Sequence, residues 1–239
     1  MNSLSPIMAA SRRRLPLSLS PALWLSDTGS SAGTWPDLSG NGRNAVQATG
    51  ANQPAIITNA INGRQVRRFD GTNDFYASVW SSVAMPITTT FVVFKWNGGG
   101  GGADGRRFLV ESRSASSNVF RPSLSIVSGV SPQKIRSFHD EIPGSTFVES
   151  TRSVGLSTTL LTASNSGGSS IFINGAAEGT VSGGITTTAI TGVNIGTYRS
   201  ADNRWFSGDI AELIIYPTAL STANRQAVEA YLNAKWAIY

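Results

Sequence analysis

The stretch from Val193 to Tyr239 limits the fold more than any other part of the chain. Two short β-type runs, Val193–Gly196 and Ile210–Tyr216, lead into a turn marked by Pro217. An amphipathic segment follows, in which Ala227, Val228, Tyr231, Leu232 and Trp236 recur at the three-or-four spacing of one apolar helix face. Ser221 stands where its hydroxyl can accept from a free backbone N–H, so the helix is predicted to start there. A single closing helix on a strand-rich chain predicts an all-β domain with the helix covering one edge or end of it.

The rest of the chain repeats the strand signal. Ala22–Leu25, Gln65–Phe69, Phe75–Val79, Arg107–Ser112, Ser123–Val127, Lys134–His139 and Leu156–Ala163 are predicted strands. Thr89–Trp96 is the strongest buried one, filled with β-branched and aromatic residues without a breaker. Ser169–Ile173 turns through Asn174-Gly175, a pair that suits a two-residue hairpin. Asn41-Gly42 marks another turn, inside Asp37–Asn44, and Asp70 to Asp74 turn between two strands. The glycine run Gly98–Gly102 predicts a flexible connection, because glycine loses the most entropy on ordering. With 239 residues the chain is long enough to bury a core without staples, and it has no cysteine to form a disulfide.

The C-terminal block, with Trp35–Val46 (WPDLSGNGRNAV), Val66–Tyr76 (VRRFDGTNDFY) and Ser170–Gly175 (SIFING), resembles the laminin-G-like branch of the concanavalin A-like lectin/glucanase superfamily. The resemblance runs from about Pro21 to Ile238. It implies an all-β, two-sheet antiparallel jelly-roll sandwich with a short C-terminal helix, among proteins that mostly bind or build rather than catalyse. Residues 1–20 are expected to be an extended N-terminal arm and residues 21–239 the sandwich domain.

Functional expectations follow partly from context. No run approaches the ~18 apolar residues of a membrane span, and Pro16, Ser18 and Ser20 interrupt the leucines that a secretory signal would need. A nearly bare domain starting at its own Met suggests a non-enzymatic virion protein. It would be made in a host cytoplasm, docked on capsid or tail proteins through Arg12, Arg13 and Arg14, and assembled as a homo-oligomer. The alternative is a carbohydrate-binding, lectin-like module of an extracellular or cell-surface protein. Net charge is +5, and arginine supplies sixteen of the nineteen basic residues. The clusters are small and scattered and come with no nucleic-acid motif, so nucleic acid is not expected as a partner.

Catalysis finds little footing. His139 is the only histidine, so no His-based metal cluster or well-supported triad can form. Asp209 and Glu212 are the nearest thing to a glycosidase pair. Three residues apart on a regular strand, they should point to opposite faces. Oxygen-rich turns at Asp37, Asn41 and Asn44 and at Asp70, Asn73 and Asp74 could hold calcium. The favoured reading, however, is Asp and Asn capping their own turns. Tyr198 and Trp205 are the aromatic candidates for a ligand at the loop rim, since sugar C–H faces stack on such rings.

Overall fold

In the computed structural model, residues 15–80, 89–102, 104–113, 123–127, 133–138, 147–165, 168–182, 190–199 and 203–239 are described. Two antiparallel sheets pack face to face. The first has the order β14 (Ala176–Ser182), β13 (Gly168–Ile173), β12 (Thr158–Asn165), β7 (Thr89–Gly100), β16 (Phe206–Tyr216), β5 (Arg64–Asp70) and β4 (Ala55–Ile61). β1 (Leu23–Leu25) also joins it, against the late part of β16. The second has the order β11 (Phe147–Glu149), β10 (Lys134–Phe138), β9 (Ser123–Val127), β8 (Arg106–Arg113), β15 (Gly192–Ile195), β6 (Tyr76–Val79), β3 (Ala45–Val46) and β2 (Thr34–Trp35).

β7 shows why the chain layers in this way. Val92, Phe94 and Trp96 point into the space between the sheets, while Phe91 and Val93 point the other way into a second apolar layer. Strict alternation with both faces apolar makes β7 a strand that must be covered on both sides. The C-terminal helix, Thr222–Trp236, supplies the second cover: Val228, Leu232 and Trp236 pack with Trp24, Phe91, Leu160 and Ile214. It therefore lies on the flat outer face of the first sheet instead of at an edge or end. Each such large side chain removed from water contributes roughly 1.5–3 kcal/mol. The Ser221 hydroxyl caps the helix by accepting from Asn224 N at 3.3 Å, and Ala237 closes it at φ 51°.

Three expectations need correction. The glycine run is ordered, with β7 continuing to Gly100 opposite Phe206. Trp96 Nε1 donates to Gly99 O at 3.0 Å, and a side chain on Gly100 would start 2.5 Å from the Trp205 carbonyl. These glycines permit close approach. Next, a register shift between Ile210 and Glu212 breaks the alternation of β16. It turns Glu212 to the helix side, the side that Asp209 also faces through its Arg68 partner. Last, residues 15–18 are helical and not extended. Pro16 O accepts from the Tyr216 hydroxyl at 3.3 Å and Leu19 packs on the outer apolar layer, so this part of the arm is docked. Arg12, Arg13, Arg14 and His139 lie outside the described residues.

Asp209 and Glu212 are both committed to the framework. Arg68 clasps Asp209 through two hydrogen bonds of 2.7 and 2.9 Å. Glu212 accepts from the Trp24 indole at 2.6 Å and the Trp236 indole at 2.5 Å, and pairs with Lys235 at 2.9 Å. Lys235 also meets Asp27 at 2.8 Å, joining the helix to the loop after β1. Burial works to raise the Asp27 pKa, but hydrogen bonds and charge from Lys235, with help from Arg64, bring it far below the usual carboxylate range.

Candidate functional site

The two outer faces differ in kind. The helix seals the first sheet, whereas the second sheet turns charged and aromatic side chains outward. On β8, β10 and β11 a row of rings runs from Phe108 to Phe138 at 6.5 Å and on to Phe147 at 5.5 Å. Tyr198, in the loop after β15, continues it 5.0 Å from Phe108. Guanidinium groups cap the row: Arg199 and Arg204 each stand 4.8 Å from the Tyr198 ring centre, and Arg136 lies 4.3 Å from Phe147. Asp104 ties Arg204 and Arg106 together at 2.8 and 2.7 Å. Burial works to raise the Asp104 pKa, but the Arg106 backbone N–H and the two guanidiniums bring it below its ordinary value.

Loops from β5–β6, β7–β8 and β15–β16 meet at one end of this face. Gly101 N donates to Trp205 O at 2.9 Å, and the Ser207 hydroxyl donates to Asp70 O at 3.3 Å. Trp205 is half-buried with its ring 5.9 Å from that of Phe75. Tyr198 is 6 % exposed, so the arginines above it, not its own ring, face outward. Both Tyr198 and Trp205 lie in the loop between β15 and β16, the first buried and the second half-buried.

The carboxylates of the oxygen-rich turns are occupied by local donors, whereas the Asn73 side-chain oxygen is buried without a hydrogen-bond partner. Asp37 accepts from Trp24 N, Ser39 N, the Ser39 hydroxyl and Arg43 N, between 2.7 and 3.0 Å. Asn41 donates to Pro21 O at 3.0 Å, and Asn44 accepts from Asp37 N at 2.9 Å. One oxygen of Asp70 accepts from the backbone N–H groups of Thr72, Asn73 and Asp74, while Asp74 accepts from Asp70 N at 3.0 Å. Among the described residues no group of three or more His, Cys, Asp or Glu side chains is arranged to hold a metal.

Burial pushes Asp74 up to about 6, with the Asp70 charge adding to it and the Asp70 N–H opposing it. A folded pKa above the unfolded value means that its stabilising contribution is full below the unfolded pKa of about 3.9 and is lost as pH rises through about 6. Asp74→Asn keeps the acceptor and removes the charge. Its melting temperature is therefore expected to exceed the parent's at pH 7.5, with the gap narrowing as pH falls and closing below about pH 4. Parallel melting curves across that range would contradict the assignment.

No family model matches the chain, and no curated protein sequence matches it. Solved structures do. Trypanosoma rangeli sialidase in complex with sialic acid superposes with a TM-score of 0.63 at 14 % identity, over 95 % of this chain and 37 % of that one. The ligand binding domain of botulinum neurotoxin serotype D, in complex with N-acetylneuraminic acid, gives 0.63 at 16 %, over 90 % and 52 %. What these superpositions share with the chain is a two-sheet antiparallel β-sandwich. The Ruminococcus gnavus IT-sialidase CBM40 bound to α2,3 sialyllactose superposes more loosely, with a TM-score of 0.48 at 15 % identity over 61 % of this chain and 83 % of that one. The chain spans only about a third to a half of the sialidase and toxin chains. At such identities the likeness speaks for the fold alone. Neither the fold nor these neighbours lends support to a virion role, to capsid or tail partners, or to a particular oligomer. No helix among the described residues is long and apolar enough to cross a membrane.

Proposed function

We propose that this protein is a non-catalytic, lectin-like carbohydrate-binding module of an extracellular or cell-surface protein. Its binding surface is the loop end and outward face of the second sheet. The observation that carries the reading is the half-open Trp205 indole, packed against Phe75, in the same loop as the guanidinium-capped Tyr198. An apolar ring beside several outward donors suits a saccharide, which offers C–H faces and hydroxyl groups together. The names of the sialidase and toxin structures, both complexes with a sialic acid, are in keeping with this reading. So are the laminin-G-like residue blocks.

Screening on a glycan panel tests it. The parent protein is expected to bind a subset saturably, and Trp205→Ala to weaken that binding by about tenfold, the loss of about 1.4 kcal/mol from one stacked ring. A panel without saturable binding would contradict the proposal.

A further inference from the structure

A row of residues across four strands of the second sheet plays no part in the core. Val46 of β3 stands opposite Ala77 of β6, Ala77 opposite Asn194 of β15, and Asn194 opposite Glu111 of β8. Three inter-strand steps make the row about 14 Å long, comparable with a short oligosaccharide. One end is apolar and open, with Val46 45 % and Val79 59 % exposed. The other end is charged.

That charged end is built from the inside outward. Glu111 is fully buried, yet it is an acid on the outward side of the sheet. Its Oε2 accepts from Asn194 Nδ2 at 2.7 Å and from Arg199 N at 3.0 Å. The amide of Asn194, so oriented, turns its oxygen to accept from Arg113 Nη1 at 2.6 Å. A single carboxylate thereby fixes Arg113 through one intermediary and Arg199 through its backbone. Arg199 adopts a left-handed φ of 51°, a conformation costly for a residue with a side chain, and the Glu111 contact helps to hold it there. Among the described residues neither guanidinium has a carboxylate partner: Arg113 meets a neutral amide, and Arg199, which is exposed, lies over the Tyr198 ring. Among these residues, two guanidiniums stand against the one carboxylate of Glu111.

The geometry points to an anion subsite: Arg113 and Arg199, positioned by Glu111 and Asn194, receive the carboxylate of an acidic saccharide whose apolar side lies along Val46 and Val79. The inference rests on the carbohydrate-binding reading and names its ligand class. A guanidinium presents a planar fork that matches a carboxylate. Arginines held in place before binding lose little freedom when the anion arrives. Glu111 and Asn194 act through the arginines and are positioning residues.

Calorimetric titration of the full chain with lactose, 3′-sialyllactose, a hyaluronan tetrasaccharide and a sulfated heparin tetrasaccharide tests this. A carboxylate-bearing probe is expected to bind at least about tenfold more tightly than lactose, with affinity falling as salt rises. Arg113→Gln and Arg199→Gln should each remove most of that preference, read as the ratio of acidic-probe to lactose affinity. Asn194→Ala should reduce the preference in the same direction. A variant that melts early is replaced by Arg113→Lys or Arg199→Lys, which keeps the charge and loses the fork, so an intermediate preference is expected. Saccharide binding that ignores both arginines, or no preference for acidic probes, overturns the subsite while leaving the module a lectin. Tighter binding of the heparin fragment than of either carboxylated probe overturns the carboxylate assignment. Failure of all four saccharides to bind overturns the subsite, while the wider glycan panel decides the carbohydrate-binding reading.

Discussion

Glu212→Ala is expected to lower the free energy of unfolding by about 3–5 kcal/mol, a large share of what a single domain has. The carboxylate is buried beneath the helix, where its two oxygens serve the indoles of Trp24 and Trp236 and it pairs with Lys235. Truncation leaves two buried N–H donors without an acceptor and opens a cavity between helix and sheet. Lys235 is spared the worst, since Asp27 still pairs with it. Urea denaturation followed by tryptophan fluorescence measures the loss. Glu212→Gln retains one good acceptor and should cost distinctly less than the alanine variant. A loss below about 1 kcal/mol for Glu212→Ala would show that the helix is held by apolar packing alone.

The second large effect is expected from Gly196→Ala. Gly196 ends β15 at φ 83°, and a Cβ there would lie 2.4 Å from the ring of Phe69 in the core. Both the backbone angle and the contact oppose any side chain, so a cost of about 3 kcal/mol or more is expected. Gly196 also anchors the loop that carries Tyr198 and Trp205: its N–H donates to Leu109 O at 3.0 Å, and its carbonyl accepts from Phe206 N at 2.9 Å. The variant should therefore lose saccharide affinity as well as stability. Normal stability in Gly196→Ala would mean that this loop is set differently from the structure described.

Much of the fold could be read from periodicity, and the failures have identifiable causes. β7, β16 and the Asn174-Gly175 turn were legible because long runs with one repeating pattern leave few alternatives; both turn residues do take positive φ, 53° and 78°. Asn62-Gly63 makes an equivalent turn, φ 46° and 72°, between β4 and β5. The pair Asn-Gly was available there too, but the run before it, Ala55–Ile61, is largely solvent-facing and lacks the in–out alternation that marks a half-buried strand, which hid the edge strand β4. The bulge in β16 and the ordered glycines of β7 were invisible because each depends on what a distant strand or loop places alongside. The site was legible only in part. Tyr198 and Trp205 could be picked out as loop aromatics, whereas the Glu111–Asn194–Arg113 chain joins residues 81 and 83 positions apart, which only the sheet pairing brings together.

The central claim is that saccharides bind on the face opposite the helix. Indole N–H resonances report on it directly, because of the six tryptophans Trp24 and Trp236 lie beneath the helix, Trp35, Trp80 and Trp96 between the sheets, and Trp205 in the loop after β15. Adding 3′-sialyllactose to 15N-labelled protein, with lactose as the neutral comparison, is expected to shift the Trp205 indole signal in proportion to occupancy. The signals of Trp24 and Trp236, held by Glu212 beneath the helix, should stay in place. Saturable shifts at Trp24 and Trp236 with Trp205 unmoved would contradict the account.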